Sequence, residues 1–195
     1  MTDDCIVADS TFFSCFKCNL KNELWLYHFL EQYRFFLGAK ILNELPQGLV
    51  KNPRFVSTTT RMDFNYYELI KPFFGRDPNH LDDGEYQAIG IAYTLDITGN
   101  LHSLILDDRK PRHFVARHFP ALEKKMKGTI GFILCSCCTD HKTSQAEGLA
   151  ILEAMKSLKQ AEPTKRPCST DDILYTTILI PAIEHIRNCH EKQRI

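Results

Sequence analysis

Cys5-Ile6-Val7-Ala8-Asp9-Ser10 is an unbroken apolar run that stops on an acid and a small residue. A strand with one wet face alternates apolar and polar residues, whereas a continuous run marks a strand covered on both faces, as in a parallel sheet. Leu101–Leu106 repeats the pattern and stops on Asp107-Asp108. Ahead of it, Glu85–Leu95 carries Ala88, Ile89, Ala92 and Leu95 at helical spacing, the stripe of a helix packed on a core. Arg34–Leu37 reads as a second strand, and Lys40–Leu45 as a short helix stopped by Pro46-Gln47-Gly48. Arg54–Thr60 is rich in β-branched residues and predicts a third strand. Strands alternating with helices predict an α/β fold built on a parallel sheet.

Further along, Thr11–Cys18 is rich in aromatic residues, and Glu23–Tyr33 repeats Leu24, Tyr27, His28 and Glu31 at helical spacing. Met62–Phe74 reads as a helix interrupted by Pro72, and His113–Phe119 as another helix. Gly128–Cys138 is apolar throughout and fits a strand, a buried helix, or one followed by the other. Gln145–Lys159 is amphipathic. Residues 161–169 hold two prolines and form the clearest linker. Beyond them Leu174, Ile178, Ile183 and Ile186 keep a helical rhythm, with Pro181 as a kink or a restart.

With 24 basic and 24 acidic residues the formal net charge is zero, so no global positive field draws the chain to nucleic acid. A nucleic-acid partner would be held by a local patch, for which Arg109–Arg117 and Lys124–Lys127 are the candidates. No apolar run approaches the ~20 residues that span a bilayer, so no membrane association is expected. The opening Met1-Thr-Asp-Asp lacks the basic and apolar regions of a signal peptide. A cytoplasmic location follows as an expectation, with the eight cysteines chiefly reduced.

Acids at the carboxyl ends of parallel strands lie where such sheets bind ligands. Asp9 ends the first apolar run; it serves either as a helix cap or as a metal ligand. Asp82-x-x-Glu85 has the form of a capping box, yet Glu85 also stands at the positive end of a helix close to the sheet edge. Asp107 and Asp108 are either turn residues or a pair of ligands, with Arg109 and Lys110 directly after them. Glu44 alone is a surface helix glutamate. Converging carboxylates repel one another and need protons, cations or a metal to be tolerated.

Taken in order, these segments resemble the PIN-domain nucleases, the family that includes the toxins of many toxin–antitoxin pairs. Ile6-Val-Ala-Asp9-Ser10 is similar to the family's opening strand and acid, and Lys40-Ile-Leu-Asn-Glu44-Leu45 to its second acid on a helix. Gly84-Glu85-Tyr-Gln-Ala88-Ile89 looks like the Gly-Glu…Ala-Ile helix of one subfamily. Ser103-Leu-Ile-Leu-Asp107-Asp108-Arg109-Lys110 and Lys127-Gly-Thr-Ile-Gly131 resemble the strand, acidic–basic turn and Gly-Thr turn that follow. The likeness runs over residues 4 to 140. It implies a three-layer α/β/α PIN-like domain over 1–160, then a linker and C-terminal helix over 161–195 packed on the domain or on a partner.

The resemblance further implies an endoribonuclease dependent on Mg²⁺ or Mn²⁺. Asp9, Glu44, Glu85 and Asp107 would be its catalytic acids, and Asp9, Glu85, Asp107 and Asp108 its metal ligands. Ser10, Thr60, Arg109, Lys110 and Arg112 would contact the substrate. RNA is the implied partner, with an antitoxin protein and a second copy of the chain as further candidates. The alternatives are a catalytically inactive PIN-like RNA-binding or protein-interaction domain and a small zinc-stabilised module. Zinc would draw on Cys15-Phe-Lys-Cys18 and Cys135-Ser-Cys137-Cys138-Thr-Asp-His141. Cys135 to Cys138 continue the apolar run Ile130–Leu134, where thiols behave as small buried hydrophobes, and Cys15 and Cys18 sit among Phe12, Phe13 and Phe16, so core packing is the expectation for them.

Overall fold

The computed structural model describes residues 4–63, 72, 84–164, 166, 168 and 170–189. Among them, five strands form one parallel sheet in the order β3-β2-β1-β4-β5, flanked by helices in a three-layer α/β/α arrangement. The strands are β1 (Cys5–Ala8), β2 (Arg34–Leu37), β3 (Thr59–Arg61), β4 (Leu101–Ile105) and β5 (Met126–Lys127). The central strand β1 is buried at every residue and pairs with β2 on one side and β4 on the other, as its unbroken apolar run requires.

Between β1 and β2 run α1 (Ser10–Ser14), a π-helical turn (Cys15–Asn19) and α2 (Glu23–Gln32). Helix α2 starts where Asn22 accepts from the Leu24 amide at 3.1 Å. Its buried face is Leu26, Tyr27, Phe29 and Leu30, while Leu24, expected in the stripe, is 71% exposed. Phe12 of α1 stacks on Phe35 of β2 with centroids 5.4 Å apart and meets Phe16, Phe29 and Phe132 edge-on. These rings close the core on that side of the sheet, each pair adding roughly 0.5–1.5 kcal/mol beyond its buried area.

After β2 come α3 (Ala39–Glu44), α4 (Gln47–Val50) and α5 (Pro53–Thr58). The strand expected over Arg54–Thr60 is therefore largely a helix, with only its last two residues in β3. Local chemistry overrides the β-branched composition there. Asn52 caps the Arg54 amide at 3.0 Å, and Pro53 occupies the first helical turn. Thr58 and Thr59 then turn their hydroxyls back onto the carbonyls of Arg54 and Phe55. The helix expected over Met62–Phe74 lies almost wholly outside the described residues.

Helix α6 (Gly84–Ile97) leads into β4, and α7 (Arg109–His118) and α8 (Pro120–Glu123) lead into β5. The open assignment of Gly128–Cys138 resolves as the helix α9 (Thr129–Cys138). Two long elements follow: α10 (Gln145–Ala161), capped by Ser144, and a C-terminal run of α11 (Asp172–Leu174), a π-helical turn (Tyr175–Leu179) and α12 (Ile180–Cys189). The π turn lies directly ahead of Pro181, where the missing proline N–H breaks the regular ladder. Leu179, Ala182, Ile183 and Ile186 are buried against α9 and α10, whereas Leu174 is half-buried and Ile178 exposed. Within the linker, Cys168 is buried, disulfide-bonded to Cys15, and bound through its amide to Asn19 at 2.7 Å. The zinc cluster considered for Cys15 is thereby excluded, and Cys18 is exposed rather than packed in the core. No helix among the described residues is long and apolar enough to cross a membrane.

Candidate active site

The chain leaves β1 toward β2 and reaches β4 on β1's other side, so the direction of winding reverses between β1 and β4. Open parallel sheets bind ligands at such a switch point, outside the carboxyl ends of the strands. Asp9 follows β1 and Asp107 follows β4. Asp9 is fully buried. One carboxylate oxygen, Oδ1, accepts from the Thr11 and Phe12 amides at 3.0 and 3.2 Å, and Oδ2 accepts from the Asp107 amide at 3.2 Å. It is therefore both the cap of α1 and a strut to the neighbouring strand end.

Asp107 is held from the other side. Its Oδ1 accepts from the Thr129 amide at 2.9 Å and its Oδ2 from the Thr129 hydroxyl at 2.5 Å, so it caps α9 across space. The residue before Thr129 is Gly128, where a Cβ would stand 3.0 Å from the Asp107 Oδ1. Burial raises the Asp9 carboxyl well above the ordinary carboxylate range, and the charges of Asp107 and Glu85 add to it, against the amide hydrogen bonds. Burial also raises Asp107, opposed by Thr129 and the Arg112 guanidinium.

Glu44 is exposed at the end of α3 and ties three elements together. It accepts from the Ser10 hydroxyl at 2.5 Å and from the Gly84 amide at 2.9 Å. A Cβ on Gly84 would stand 2.5 Å from its Oε1, which gives the glycine before Glu85 a physical reason. One turn along α6, the buried Gln87 reaches back to α3, its Oε1 accepting from the Lys40 and Ile41 amides at 2.7 and 3.3 Å. Helix α3 has no side-chain cap of its own, so Gln87 supplies one from a distant segment.

Glu85 is half-buried and lines a cavity of about 520 Å³ with Asp107, Asp108, Arg109, Lys110 and Arg166. Asp82, its expected capping partner, lies outside the described residues. No family model, curated protein or solved structure matches this chain.

The remaining expected site residues divide. Asp108 is exposed, and although it occupies the cap position of α7 its side chain makes no cap bond. Arg109 is exposed and paired with Asp171 at 3.0 Å, and Lys110 is exposed beside it. Arg112 donates to the Leu106 carbonyl at 2.8 Å and so fastens the end of β4. Thr60 lies elsewhere: it lines a separate depression with Gln32, Tyr33 and Arg34. Its place in the edge strand β3, two strands from β1 and three from β4, separates it from the acids that follow those strands. Thr129, Gln87 and Arg166 were not foreseen; Thr129 stands in the Gly-Thr turn but nothing local marks it as the partner of Asp107.

Asp9 and Asp107 suit a hard divalent cation by their chemistry: a buried and a half-buried carboxylate, set to repel, whose oxygens each keep acceptor capacity beyond the bonds described. Yet among the described residues no three of the acids bring their oxygens within 4.8 Å of one another. A second polar series, Ser103–His102–Asp140, has the residue types of a hydrolytic triad, at 2.9 and 3.2 Å. Ser103 is fully buried and accepts from the Lys127 ammonium at 2.8 Å, so no substrate reaches it and its role is structural.

Proposed function

We propose that this chain is a divalent-metal-dependent endoribonuclease of PIN type. The reading rests on one observation above all: Asp9, fully buried, and Asp107, half-buried, stand at adjacent strand ends on either side of the switch point. Burial and the neighbouring charge of Asp107 raise the proton affinity of Asp9, and a bound cation would relieve that cost. Mg²⁺ or Mn²⁺ held there would supply an activated water and neutralise charge on the phosphate. Asp9 and Asp107 would hold the ion directly, with Glu85 and Asp108 acting from the same cavity. Glu44 and Ser10 would position the start of α6, and hence Glu85.

Substrate would approach over α7. Arg109, Lys110, His113 and Arg117 border an open depression with Phe114 and Tyr86, beside the acids. Cations there contact phosphates, and aromatic faces stack on unpaired bases, which favours single-stranded RNA. Such a local patch meets the requirement set by zero net charge. A toxin role with an antitoxin partner follows from the family resemblance alone, and a cytoplasmic setting from the absence of a signal-peptide pattern in the opening residues.

One observation favours a second reading, a catalytically inactive PIN-like domain that binds RNA or protein: among the described residues the acids do not form a group of three within 4.8 Å. Cleavage of single-stranded RNA with Mn²⁺ separates the two. Asp9→Asn and Asp107→Asn should each abolish cleavage while leaving RNA binding in place. Wild-type cleavage by Asp9→Asn would refute the nuclease reading, and RNA binding without cleavage by the native protein would establish the second.

A further inference from the structure

Cys138 is the last residue of α9, and His185 and Cys189 lie four apart on α12, one above the other on one helix face. The Cys138 sulfur, a ring nitrogen of His185 and the Cys189 sulfur all lie within 4.8 Å of one another. Ligands on a tetrahedral zinc ion stand about 3.5–3.8 Å apart, from bonds of ~2.3 Å to sulfur and ~2.0 Å to nitrogen. Small rotamer changes therefore bring the three onto one ion. Cys138 and Cys189 are half-buried and His185 is exposed, so the position is open to metal from solvent.

We propose that Cys138, His185 and Cys189 form a zinc site that fastens α12 to the end of α9. Two thiols and an imidazole are a soft and intermediate donor set that selects zinc over the hard ions suited to carboxylates. On binding, each thiol releases its proton to solvent and coordinates as the thiolate. Cys137 and His141 line a cavity of about 340 Å³ together with Cys138 and Cys189, and one of them or a water completes the tetrahedron. The site gives the C-terminal run a role that packing alone does not supply. Helix α9 begins at Thr129, which holds Asp107, and ends at Cys138, so the ion would anchor the far end of the helix that positions a candidate catalytic acid. It is independent of the acidic site in residues and in metal chemistry.

The test uses the full chain, reduced and stripped of metal, then titrated with Zn²⁺ or with Co²⁺ as a spectroscopic probe. One zinc per chain should survive desalting, and Co²⁺ should show tetrahedral bands with thiolate charge transfer. Cys138→Ser and Cys189→Ser should each remove roughly half of that charge transfer, because each deletes one of two sulfur ligands. His185→Ala, on an exposed position that does not threaten the fold, should weaken zinc by more than ~10-fold. Cys18→Ser, exposed and remote in sequence, should bind as wild type. Failure of the reduced chain to take up stoichiometric zinc would overturn the proposal. So would wild-type zinc affinity in all three ligand variants, or zinc lost in Asp9→Asn but retained in them.

Discussion

Gly38→Ala is the substitution whose cost can be worked most directly. Gly38 is buried ahead of α3, and a Cβ there would stand 2.1 Å from Gln87 Cδ, 2.2 Å from its Oε1 and 2.6 Å from its Nε2. The Gln87 amide is the far end of a side chain, yet it cannot swing away freely, since it is only 5% exposed and caps the Lys40 and Ile41 amides. Displacing it strands two amide donors, at about 1–3 kcal/mol each where they are shielded from water. Overpacking adds about 1–3 kcal/mol. The backbone of Gly38 is extended, at φ −95° and ψ 169°, so alanine itself brings no strain. We expect a loss of roughly 3–9 kcal/mol, or a Tm lowered by about 6–36 °C for a chain of this size. Gln87→Ala should cost less, about 2–6 kcal/mol, because it strands the same donors without the clash. Gly38→Ala/Gln87→Ala should then be no less stable than Gln87→Ala alone. Denaturant unfolding of the four proteins in a double-mutant cycle measures this. A Gly38→Ala protein within 0.5 kcal/mol of wild type, or strictly additive effects, would refute the long-range cap.

Asp9 and Asp107 hold protons more tightly in the folded chain than unfolded, so stability should fall as pH rises from the ordinary carboxylate range through their raised values, then level off. Thermal melts in EDTA across that window read this slope; Asp9→Asn should flatten it, and Mn²⁺ should restore stability on the high-pH side, by about 2.7 kcal/mol at a hundredfold excess over its dissociation constant. An unchanged slope in Asp9→Asn would sink the assignment. Thr129→Val keeps side-chain shape and the amide but deletes the hydroxyl donor to Asp107, and should cost about 1–3 kcal/mol and weaken Mn²⁺ binding. Unchanged Tm and unchanged Mn²⁺ titration would show that Thr129 does not position Asp107. Cys168→Ser opens a link between residues 153 apart, and a loss of roughly 2–5 kcal/mol is expected under non-reducing conditions, with the Cys15→Ser/Cys168→Ser pair no worse. Equal melting of oxidised and reduced wild type would argue against that bond.

The α/β class, the central strand β1 and the strand ending on Asp107 were legible in the chain, because a strand buried on both faces shows its environment in its own consecutive residues. Helix α6 was legible for the same reason, through its apolar stripe. Misreading Arg54–Thr60 as a strand came from weighing β-branched composition above the Asn52-Pro53 helix start, a signal equally local. Of the candidate site, the acids at the strand ends could be found one by one, and so could the basic residues of α7. Their partners could not. Thr129 meets Asp107 across 22 residues, Gln87 meets Lys40 across 47, and Cys138 meets His185 and Cys189 only once α12 packs on α9. The sequence by itself marked the segments that face a core, β1, β4 and α6, since periodicity records burial within a single segment, although Leu24 and Ile178 follow the helical rhythm and are exposed. Only the tertiary structure decided which polar groups satisfy one another. A hydrogen bond or a metal ligand needs atoms within a few ångströms, and the winding of the sheet, not the order of the chain, sets those distances.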